Sequence, residues 1–316
     1  MGPLYAGQVA ESLAAAGAPS RLVTIPPGEK SKRLAVVEQV YDRLFEFAME
    51  RSDAVVALGG GVVGDLAGFV AATFKRGVDF MQVPTTLLAM VDSSIGGKAG
   101  VNHPRGKNMI GAFHQPRLVF ADVTTLRTLP RRELGCGLAE TVKHAVIRDA
   151  EFFAYLEQHR QDVLALAPPV LMDLVARNCR IKAAVVSADE REIGLRAILN
   201  LGHTVGHAIE TVLADRDVHH GEAVSLGLVA ACRLAVQRGL MQPAEAQRVE
   251  QLLRSFELPV HLPDLPTDDL YEAMRHDKKV KGGRITFVLP RGLGDGALVN
   301  DVTEEQAKAV IESLRA

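Results

Sequence analysis

An apolar run that ends in a cluster of glycines most constrains what this chain can fold into. Residues 54–58 are all apolar, which is typical of a strand buried on both faces of a parallel sheet. Gly59, Gly60, Gly61 and Gly64 follow at once, and a helix is predicted to begin near Gly64. A buried strand that turns directly into a helix indicates an α/β domain.

Further strands and helices are predicted to alternate over residues 1–129. The helical segments show a 3.6-residue apolar period, and the strands are short apolar runs between turn residues. Such alternation is typical of a parallel, doubly wound sheet. We predict helices over residues 4–16 and 31–50, and strands over residues 21–25, 80–83 and 118–121.

Helical periodicity dominates after residue 129, and a short ribbon is expected near the end of the chain. The pattern therefore predicts an α/β domain over residues 1–129 and a mainly α-helical C-terminal domain over residues 130–316. The helical segments are predicted over residues 132–215, 221–238 and 243–256, and the ribbon over residues 284–289 and 297–299.

The composition disfavours several classes of partner. Lysine and arginine total 36 against 38 acidic residues, so no basic excess points to nucleic acid. Tryptophan is absent and aromatic residues make up 5%, which disfavours stacking on single strands. No secretory signal begins the chain and Asp65 interrupts its most apolar window, so no membrane partner is expected. Three cysteines without disulfide or CxxC spacing favour a cytoplasmic protein.

The glycine cluster satisfies GxGxxG between a predicted strand and a predicted helix. Without side chains there, backbone amides and a helix N-terminus can approach a pyrophosphate. The acid expected about 20 residues further on would be Asp79, which begins the next strand instead of ending it, so the ordinary dinucleotide fingerprint fits poorly. Tight strand-to-helix packing is the alternative. Asp65 is either a helix-start acid or a ligand to a hydroxyl.

Two histidines give the strongest chemical signal. Arg196, Asn200, His203 and His207 are spaced by four, three and four residues, which predicts that they share one face of a single helix, with Glu210 continuing the line. A pair of buried core histidines is the alternative. A threonine stands where the metalloprotease helix has its glutamate, which argues against a peptidase.

A metal ion would need a third ligand from elsewhere in the chain. His219, His220 and Glu222 arrive one short turn after the predicted helix, at the start of the next. Glu140 and Lys143 share a helical face and offer a carboxylate beside a lysine. One carboxylate and two imidazoles leave a coordination position open, which is the pattern of a catalytic zinc site.

Basic residues stand in glycine-rich or apolar surroundings. Lys98 and Lys107 frame a stretch rich in glycine, hydroxyls and amides. Taken singly, each lysine is better explained as a solvated residue, and the glycine context favours a binding role only for Lys98 and Lys107. Together the cations suffice to hold a substrate with a phosphate and a carboxylate. They include Lys143, Lys182, Arg196, Lys278 and Lys279.

Several motifs in order make the chain resemble the 3-dehydroquinate synthase family, within the sugar phosphate cyclases and their relatives, the polyol and iron-type alcohol dehydrogenases. The resemblance runs from near Gly28 to about Pro290. It implies that residues 1–129 form a Rossmann-like α/β nucleotide-binding domain and that residues 130–316 form a mainly α-helical C-terminal metal-binding domain. The motifs that carry it are residues 59–65, 84–88, 91–98, 106–108, 139–144, 199–207 and 220–224.

The resemblance implies a role for each of the following residues. Glu140, His203 and His220 would bind a divalent metal, usually zinc, with cobalt as the alternative. Arg76 would reach the phosphate site of the partner subunit in a homodimer. Asp92, Lys98, Asn108, Lys143, Lys182, Arg196, Asn200, His207 and Lys278 would surround the substrate, with Lys279 able to exchange roles with Lys278. Glu29, Lys32, Gly60, Gly61, Asp65, Thr85, Thr86, Lys107 and Thr128 would contact NAD.

The implied reaction converts 3-deoxy-D-arabino-heptulosonate 7-phosphate to 3-dehydroquinate and phosphate, by transient oxidation with NAD, phosphate elimination, reduction and an aldol closure. A polyol dehydrogenase, a cyclase acting on sedoheptulose 7-phosphate and a non-catalytic paralogue are the alternatives. Relatives are expected to carry a leading segment of some tens of residues before the position of Gly2. Its absence would affect NAD affinity and stability.

Overall fold

The chain folds into two compact units, Met1–Leu129 and Pro130–Ala316. The structure, a computed structural model, describes residues 1–214, 216, 218–262, 265–276, 280–281 and 284–315.

A three-stranded parallel sheet forms the centre of the first unit, as predicted. Across the sheet the strands follow in the order Ala54–Gly59, Asp79–Pro84 and Leu118–Val119, and the register pairs Ala54 with Asp79 and Gly59 with Pro84. The glycine cluster therefore lies at the carboxyl edge of the sheet, where nucleotide sites form in this class of fold. The strands are β1 (Ala54–Gly59), β2 (Asp79–Pro84) and β5 (Leu118–Val119).

Helices cover this sheet and share an apolar core with it. The core includes Val36, Leu66, Phe69 and Phe80. A Cβ on Gly68 would lie 3.3 Å from the Phe80 ring, so one helix packs directly on the sheet. The helices of this unit are α1 (Gly7–Ala15), α2 (Leu34–Glu46) and α3 (Gly61–Thr73), with short helical segments at Gly2–Ala6, Glu29–Ser31, Phe74–Arg76, Ala89–Ser93 and Val123–Thr128.

The strand predicted over residues 21–25 is wrong. That segment has no regular structure and pairs with no strand among the described residues. Leu22 is 64% exposed. Because a strand needs a neighbour for its backbone groups, a short apolar alternation alone does not make one.

A β-hairpin occupies the glycine-rich stretch that contains Lys98 and Lys107, and it was not predicted. It consists of β3 (Lys98–His103) and β4 (Gly106–Phe113), which are antiparallel. Gly100 faces Gly111 across the pair. The glycines therefore permit close strand contact as well as a turn.

The second unit is mainly helical, as predicted, and has a small antiparallel pair of strands before its last helix. None of its helices, nor any other within the described ranges, is both long and apolar enough to cross a membrane. The elements are α4 (Arg131–Arg148), α5 (Ala150–Gln158), α6 (Arg160–Leu164), α7 (Pro168–Ala188), the 3-10 segment Leu195–Asn200, α8 (His203–Val212), α9 (His220–Gln237), α10 (Pro243–Ser255), α11 (Thr267–Arg275), β6 (Val280–Lys281), β7 (Arg284–Ile285), β8 (Phe287–Pro290), β9 (Gly296–Val299) and α12 (Glu304–Ser313).

Candidate active site

A carboxylate and two imidazoles meet in the helical unit. Glu140 lies on α4, and His203 and His220 are the first residues of α8 and α9. Glu140 Oε1 lies 3.5 Å from His203 Nε2 and 3.2 Å from His220 Nε2. One ligand atom of each side chain lies within 4.8 Å of the other two. This is the donor set of a catalytic divalent-metal site.

Contacts on the far side of each imidazole hold these donors in place. His203 Nδ1 lies 3.0 Å from Leu201 O, and His220 Nδ1 lies 3.2 Å from Glu210 Oε2. Metal-binding histidines usually bond their second nitrogen to a carbonyl or carboxylate in this way, because the bond directs the first nitrogen at the ion. The residues therefore fit a divalent ion.

The same contacts control the protonation of His220. Burial opposes its charged form, but hydrogen bonds with Glu140 and Glu210 raise its pKa to about 10. In the metal-free protein the imidazole therefore carries a proton at neutral pH.

A buried lysine balances the charge of Glu140. Lys143 follows Glu140 by one turn of α4, is 2% exposed and pairs with Glu140 Oε2. Glu140 thus directs one oxygen at the imidazoles and the other at Lys143. Removing Lys143 would leave a buried carboxylate with less compensation, which is costly.

His207 lies beside the three donors but outside their set. Its ring centroid is 5.2 Å from that of His203 and 6.4 Å from that of His220. Spacing alone left both histidines of this helix as ligand candidates. The structure brings His203, and not His207, into the group with Glu140 and His220.

Glycines set the separation of the elements that carry these donors. A Cβ on Gly221 would lie 2.2 Å from Cys136 Cα, and one on Gly227 would lie 1.8 Å from Gly202 O. The backbone of α9 therefore touches α4 and the turn before α8. Gly202 has φ +78°, a left-handed conformation that suits glycine and turns the chain just before His203.

The prediction that one helix carries Arg196, Asn200, His203 and His207 is wrong. The first two lie on the separate 3-10 segment, and α8 begins only at His203. The left-handed Gly202 interrupts the helix between them, because a right-handed helix cannot continue through that conformation.

Among the residues of this unit that the structure describes, three cations are buried. Lys143, Lys182 and Arg196 are 2%, 6% and 2% exposed. Both α7, which carries Lys182, and the 3-10 segment, which carries Arg196, pack against α4. The Asn200 side chain donates to Glu192 Oε1 at 2.9 Å. Positive charge is therefore concentrated around the helix that holds Glu140, which favours an anionic ligand.

A network of hydrogen bonds shapes the loop before Arg196. Asp189 accepts from the backbone N–H groups of Ile193, Arg196 and Gly194 at 2.8–2.9 Å. These bonds, that from Ile193 first, lower the pKa of Asp189. The Arg196 guanidinium donates to Glu190 O at 2.5 Å. The backbone position of Arg196 is therefore fixed by the end of α7.

The glycine cluster of the first unit lies at the N-terminus of α3, where backbone amides can bind an anion. Gly60 is the N-cap of α3, and Val63 and Gly64 donate the first hydrogen bonds of the helix to Gly60 O. The Gly61 amide precedes those bonds and is directed out of the helix N-terminus. Such amides bind phosphate groups.

Thr85 and Thr86 lie at the same edge of the sheet. The Thr85 N–H donates to Gly59 O at 2.9 Å. Among the described residues, the buried Thr85 Oγ1 has no hydrogen-bond partner, so this hydroxyl is available to a ligand. A Cβ on Gly60 would lie 3.0 Å from Thr86 Cγ2. Glycines and an open hydroxyl at this edge fit a bound nucleotide.

Four predicted contact residues form one polar network with Asn102. Lys32 is 4% exposed, pairs with Asp65 in the first turns of α3 and lies 4.0 Å from Glu29 Oε1. Asn102 donates to Glu29 Oε1 at 2.7 Å and accepts from the Asn108 N–H at 2.8 Å. Asp65 therefore holds a buried lysine in addition to lying near a helix start.

Other candidates of the first unit lie on separate elements. Asp79 lies at the edge of the sheet opposite the glycine turn and pairs with Arg117 at 2.9 Å, which agrees with its poor fit to a ribose contact. The Thr128 hydroxyl hydrogen-bonds with Tyr5. Lys98 begins β3, Lys107 lies on β4, Asp92 lies in Ala89–Ser93, and Arg76, which is exposed, ends Phe74–Arg76 with φ +68°.

Lys278 and Lys279 lie outside the described residues. The contact of Glu210 with His220 was not predicted, although Glu210 follows His203 by seven residues on the same face of α8. That spacing was the available signal.

The first unit is an α/β unit in which a helix N-terminus can bind phosphate, and the second is a helical unit with a Glu/His/His donor set. These features define a class of two-domain proteins that bind a nucleotide and a divalent metal ion. Family models narrow the class. One described as 3-dehydroquinate synthase N-terminal matches residues 22–136, and one described as 3-dehydroquinate synthase C-terminal matches residues 137–280. The chain belongs to the 3-dehydroquinate synthase family.

Individual relatives agree over nearly the whole chain. The 3-dehydroquinate synthase of Desulforamulus reducens is 52% identical over 310 residues, covering 98% of this chain and 86% of that protein. That of Halorhodospira halophila is 54% identical over 303 residues, covering 96% and 84%.

Solved structures confirm the predicted fold class. The 2-epi-5-epi-valiolone synthase of Streptomyces hygroscopicus, with NAD+ and Zn2+ bound, is 34% identical with a TM-score of 0.91, covering 99% of this chain and 88% of that one. A 2-deoxy-scyllo-inosose synthase complexed with carbaglucose-6-phosphate, NAD+ and Co2+ is 29% identical with a TM-score of 0.89, covering 98% and 86%.

Proposed function

We propose that this chain is a 3-dehydroquinate synthase, which converts 3-deoxy-D-arabino-heptulosonate 7-phosphate to 3-dehydroquinate and phosphate. The observation that carries the proposal is the burial of Lys143, Lys182 and Arg196 in the unit that holds the metal-type donors. A substrate with a carboxylate and a phosphate requires such cations, whereas a neutral polyol does not. Relatives of this name at 52% and 54% identity support it.

The proposed cofactors are NAD and one divalent ion, zinc or cobalt. The chemistry supplied by the bound groups would be a lowered pKa of a substrate hydroxyl, from the ion, and reversible hydride transfer at its carbon, from NAD. Glu140, His203 and His220 would hold the ion. Gly60, Gly61, Thr85 and Thr86 would contact NAD, together with Glu29, Lys32, Asp65, Lys107 and Thr128.

The side chains of the protein would position the substrate and balance its charge. Glu210 and the Leu201 carbonyl hold both imidazoles before the substrate arrives, which lowers the cost of reorganisation. Lys182 and Arg196 would bind anionic groups and hold the ring in its reactive orientation. The remaining substrate contacts would be Asp92, Lys98, Asn108, Lys143, Asn200, His207 and Lys278.

The proposal includes a homodimer in the cytoplasm. The exposed, positive-φ Arg76 is suited to reach the phosphate site of a second copy, and the three cysteines are free thiols, as a reducing compartment requires. Light scattering after size exclusion tests the dimer. A mixture of inactive Arg76→Ala and inactive Glu140→Gln chains should recover activity, because one site of each mixed dimer is intact.

Phosphate release with catalytic NAD tests the reaction. The protein is incubated with Co2+ or Zn2+, the heptulosonate phosphate and NAD well below the substrate concentration. We expect many phosphates released per NAD and no accumulation of NADH. Stoichiometric NADH without phosphate would indicate a polyol-type dehydrogenase, and preference for sedoheptulose 7-phosphate would indicate another cyclase.

A matched pair on α7 tests the cationic site. Lys182→Met removes a buried charge, whereas Arg180→Met removes an exposed one two residues earlier on the same helix. Because a charged hydrogen bond contributes about 1.5–3 kcal/mol, kcat/KM should fall about 10–100-fold in the first variant only. Equal activities would contradict a substrate role for Lys182.

A further inference from the structure

A second group of metal-ligand side chains lies next to the Glu/His/His donors. Glu133 and Cys136 precede Glu140 on α4 by seven and four residues, so the three side chains share one face of that helix. His219 immediately precedes His220. One ligand atom from each of Glu133, Cys136 and His219 lies within 4.8 Å of the other two. These three residues are called the cysteine cluster below.

We propose that the cysteine cluster binds a second, thiophilic divalent ion such as Zn2+, Co2+ or Cd2+. Thiolate, imidazole and carboxylate are ligands that these ions accept together in tetrahedral sites. Their bonds to such ligands are about 2.0–2.3 Å long, so small side-chain rotations bring all three atoms to one ion. A solvent molecule takes the fourth position.

The sulfur is held where a helix begins. Cys136 is 2% exposed, and the Gly221 N–H in the first turn of α9 donates to its sulfur. The two backbones touch here, since a Cβ on Gly221 would lie 2.2 Å from Cys136 Cα. Burial raises the pKa of the Cys136 thiol to about 12, although the Gly221 hydrogen bond opposes that rise, so the thiol keeps its proton until a metal ion displaces it. On binding, a sulfur–metal bond replaces the S–H bond and the proton leaves to solvent.

The other two ligands provide access and balance the charge. His219 Nδ1 lies 3.2 Å from Glu133 Oε1, and these side chains are 26% and 41% exposed, so an ion enters from solvent between them. The neighbouring Arg132 guanidinium is paired with both oxygens of Glu222, at 2.6 and 2.9 Å, which limits its repulsion of a cation. A divalent ion with one thiolate and one carboxylate leaves no net charge.

Cobalt distinguishes the two groups, because a sulfur ligand gives Co2+ a strong near-ultraviolet charge-transfer band and an oxygen- and nitrogen-bound ion lacks it. The full chain is titrated with Co2+ while metal content and absorbance are followed. We expect a first equivalent without the band and a second that brings it to the amplitude of one thiolate. The result does not depend on turnover, so it is separate from the proposed function.

Variants assign the band to a residue. Cys136→Ser should abolish it, whereas Cys179→Ser and Cys232→Ser should retain it as matched controls. His219→Gln, which keeps the sulfur, should weaken the second equivalent at least tenfold. His203→Ala should lose the first equivalent and keep the band.

Two outcomes would overturn the proposal. One is the absence of a thiolate band at any Co2+ excess in the folded parent protein. The other is a band that persists in folded Cys136→Ser. If Cys136→Ser does not fold, an unchanged second equivalent in folded His219→Gln refutes the cluster in its place.

Discussion

Replacing Gly227 by alanine should remove the metal from this protein without altering any ligand. Gly227 lies in the middle of α9, two turns after His220. Its Cα faces the backbone of Gly202, which directly precedes His203. The contact therefore fixes the distance between the two elements that supply the imidazoles, and a methyl group inserted there acts on both.

The size of the effect follows from one distance. The new Cβ would lie 1.8 Å from Gly202 O, and real Cβ contacts begin near 3.0 Å, so the backbones must separate by at least about 1.2 Å. Metal–ligand distances tolerate changes of about 0.2 Å. Overpacking of this severity costs about 3 kcal/mol or more, which corresponds to a fall in Tm of about 6–12 °C for a unit of this size.

Metal content after dialysis against zinc-containing buffer, together with calorimetric unfolding, tests this expectation. Gly135→Ala is the matched control on α4, because its Cβ would lie 3.5 Å from Leu258 Cδ2, an ordinary contact. That variant should keep its metal and gain up to about 1 kcal/mol, since alanine favours a helix over glycine. If Gly227→Ala kept both the zinc and the Tm of the parent, backbone contact would not set the ligand geometry.

Four further results are expected. Glu210→Gln should weaken metal binding about 10–100-fold, as measured by competition with a chelator; unchanged affinity would refute the role of Glu210 in holding His220. Zinc binding near pH 7.5 should release about one proton from His220, whose pKa its carboxylate partners raise to about 10, and calorimetry in buffers of different ionisation enthalpy measures it. In the metal-free protein this pairing stabilises the fold fully below pH 6.5, and the Tm should fall between pH 6.5 and about 10, because the unfolded chain there releases a proton that the folded chain still binds; a flat Tm over this range would contradict it. Gly60→Ala should raise the Kd for NAD about tenfold, or 1.4 kcal/mol, because its Cβ would lie 3.0 Å from Thr86 Cγ2; metal content is the control, and an unchanged Kd would argue against the glycine turn.

The parallel sheet could be predicted because its strands carry their own signal. The apolar run of β1 requires burial on both faces, and the glycines after it require a tight turn into a helix. Residues 21–25 show the limit of this reasoning, since whether an alternating segment becomes a strand depends on a neighbour that is distant in sequence. The hairpin of β3 and β4 was missed for the opposite reason. Its glycines resemble loop residues, yet Gly100 and Gly111 face each other across two paired strands.

Sequence alone could predict the residue types and the spacing of the proposed metal ligands, but not which histidine of α8 joins them. Helical spacing places His203 and His207 on one face, and nothing local separates a ligand from its neighbour one turn later. The choice depends on Gly202, whose left-handed φ ends the preceding segment and makes His203 the first residue of α8. The Leu201 carbonyl on the other side of that turn then receives the His203 ring.

A helix running without interruption through Gly202 would have placed Arg196 and His203 on one axis, as spacing predicted. The observed break places the residues proposed to bind anions on the 3-10 segment and the imidazoles on α8. The backbone of Gly202, at this break, contacts Gly227 of α9. The residue types of the proposed ligands therefore indicate a metal site, but glycines that carry no reactive group determine whether those ligands come together. This is why a chain could retain Glu140, His203 and His220 and still fail to bind an ion.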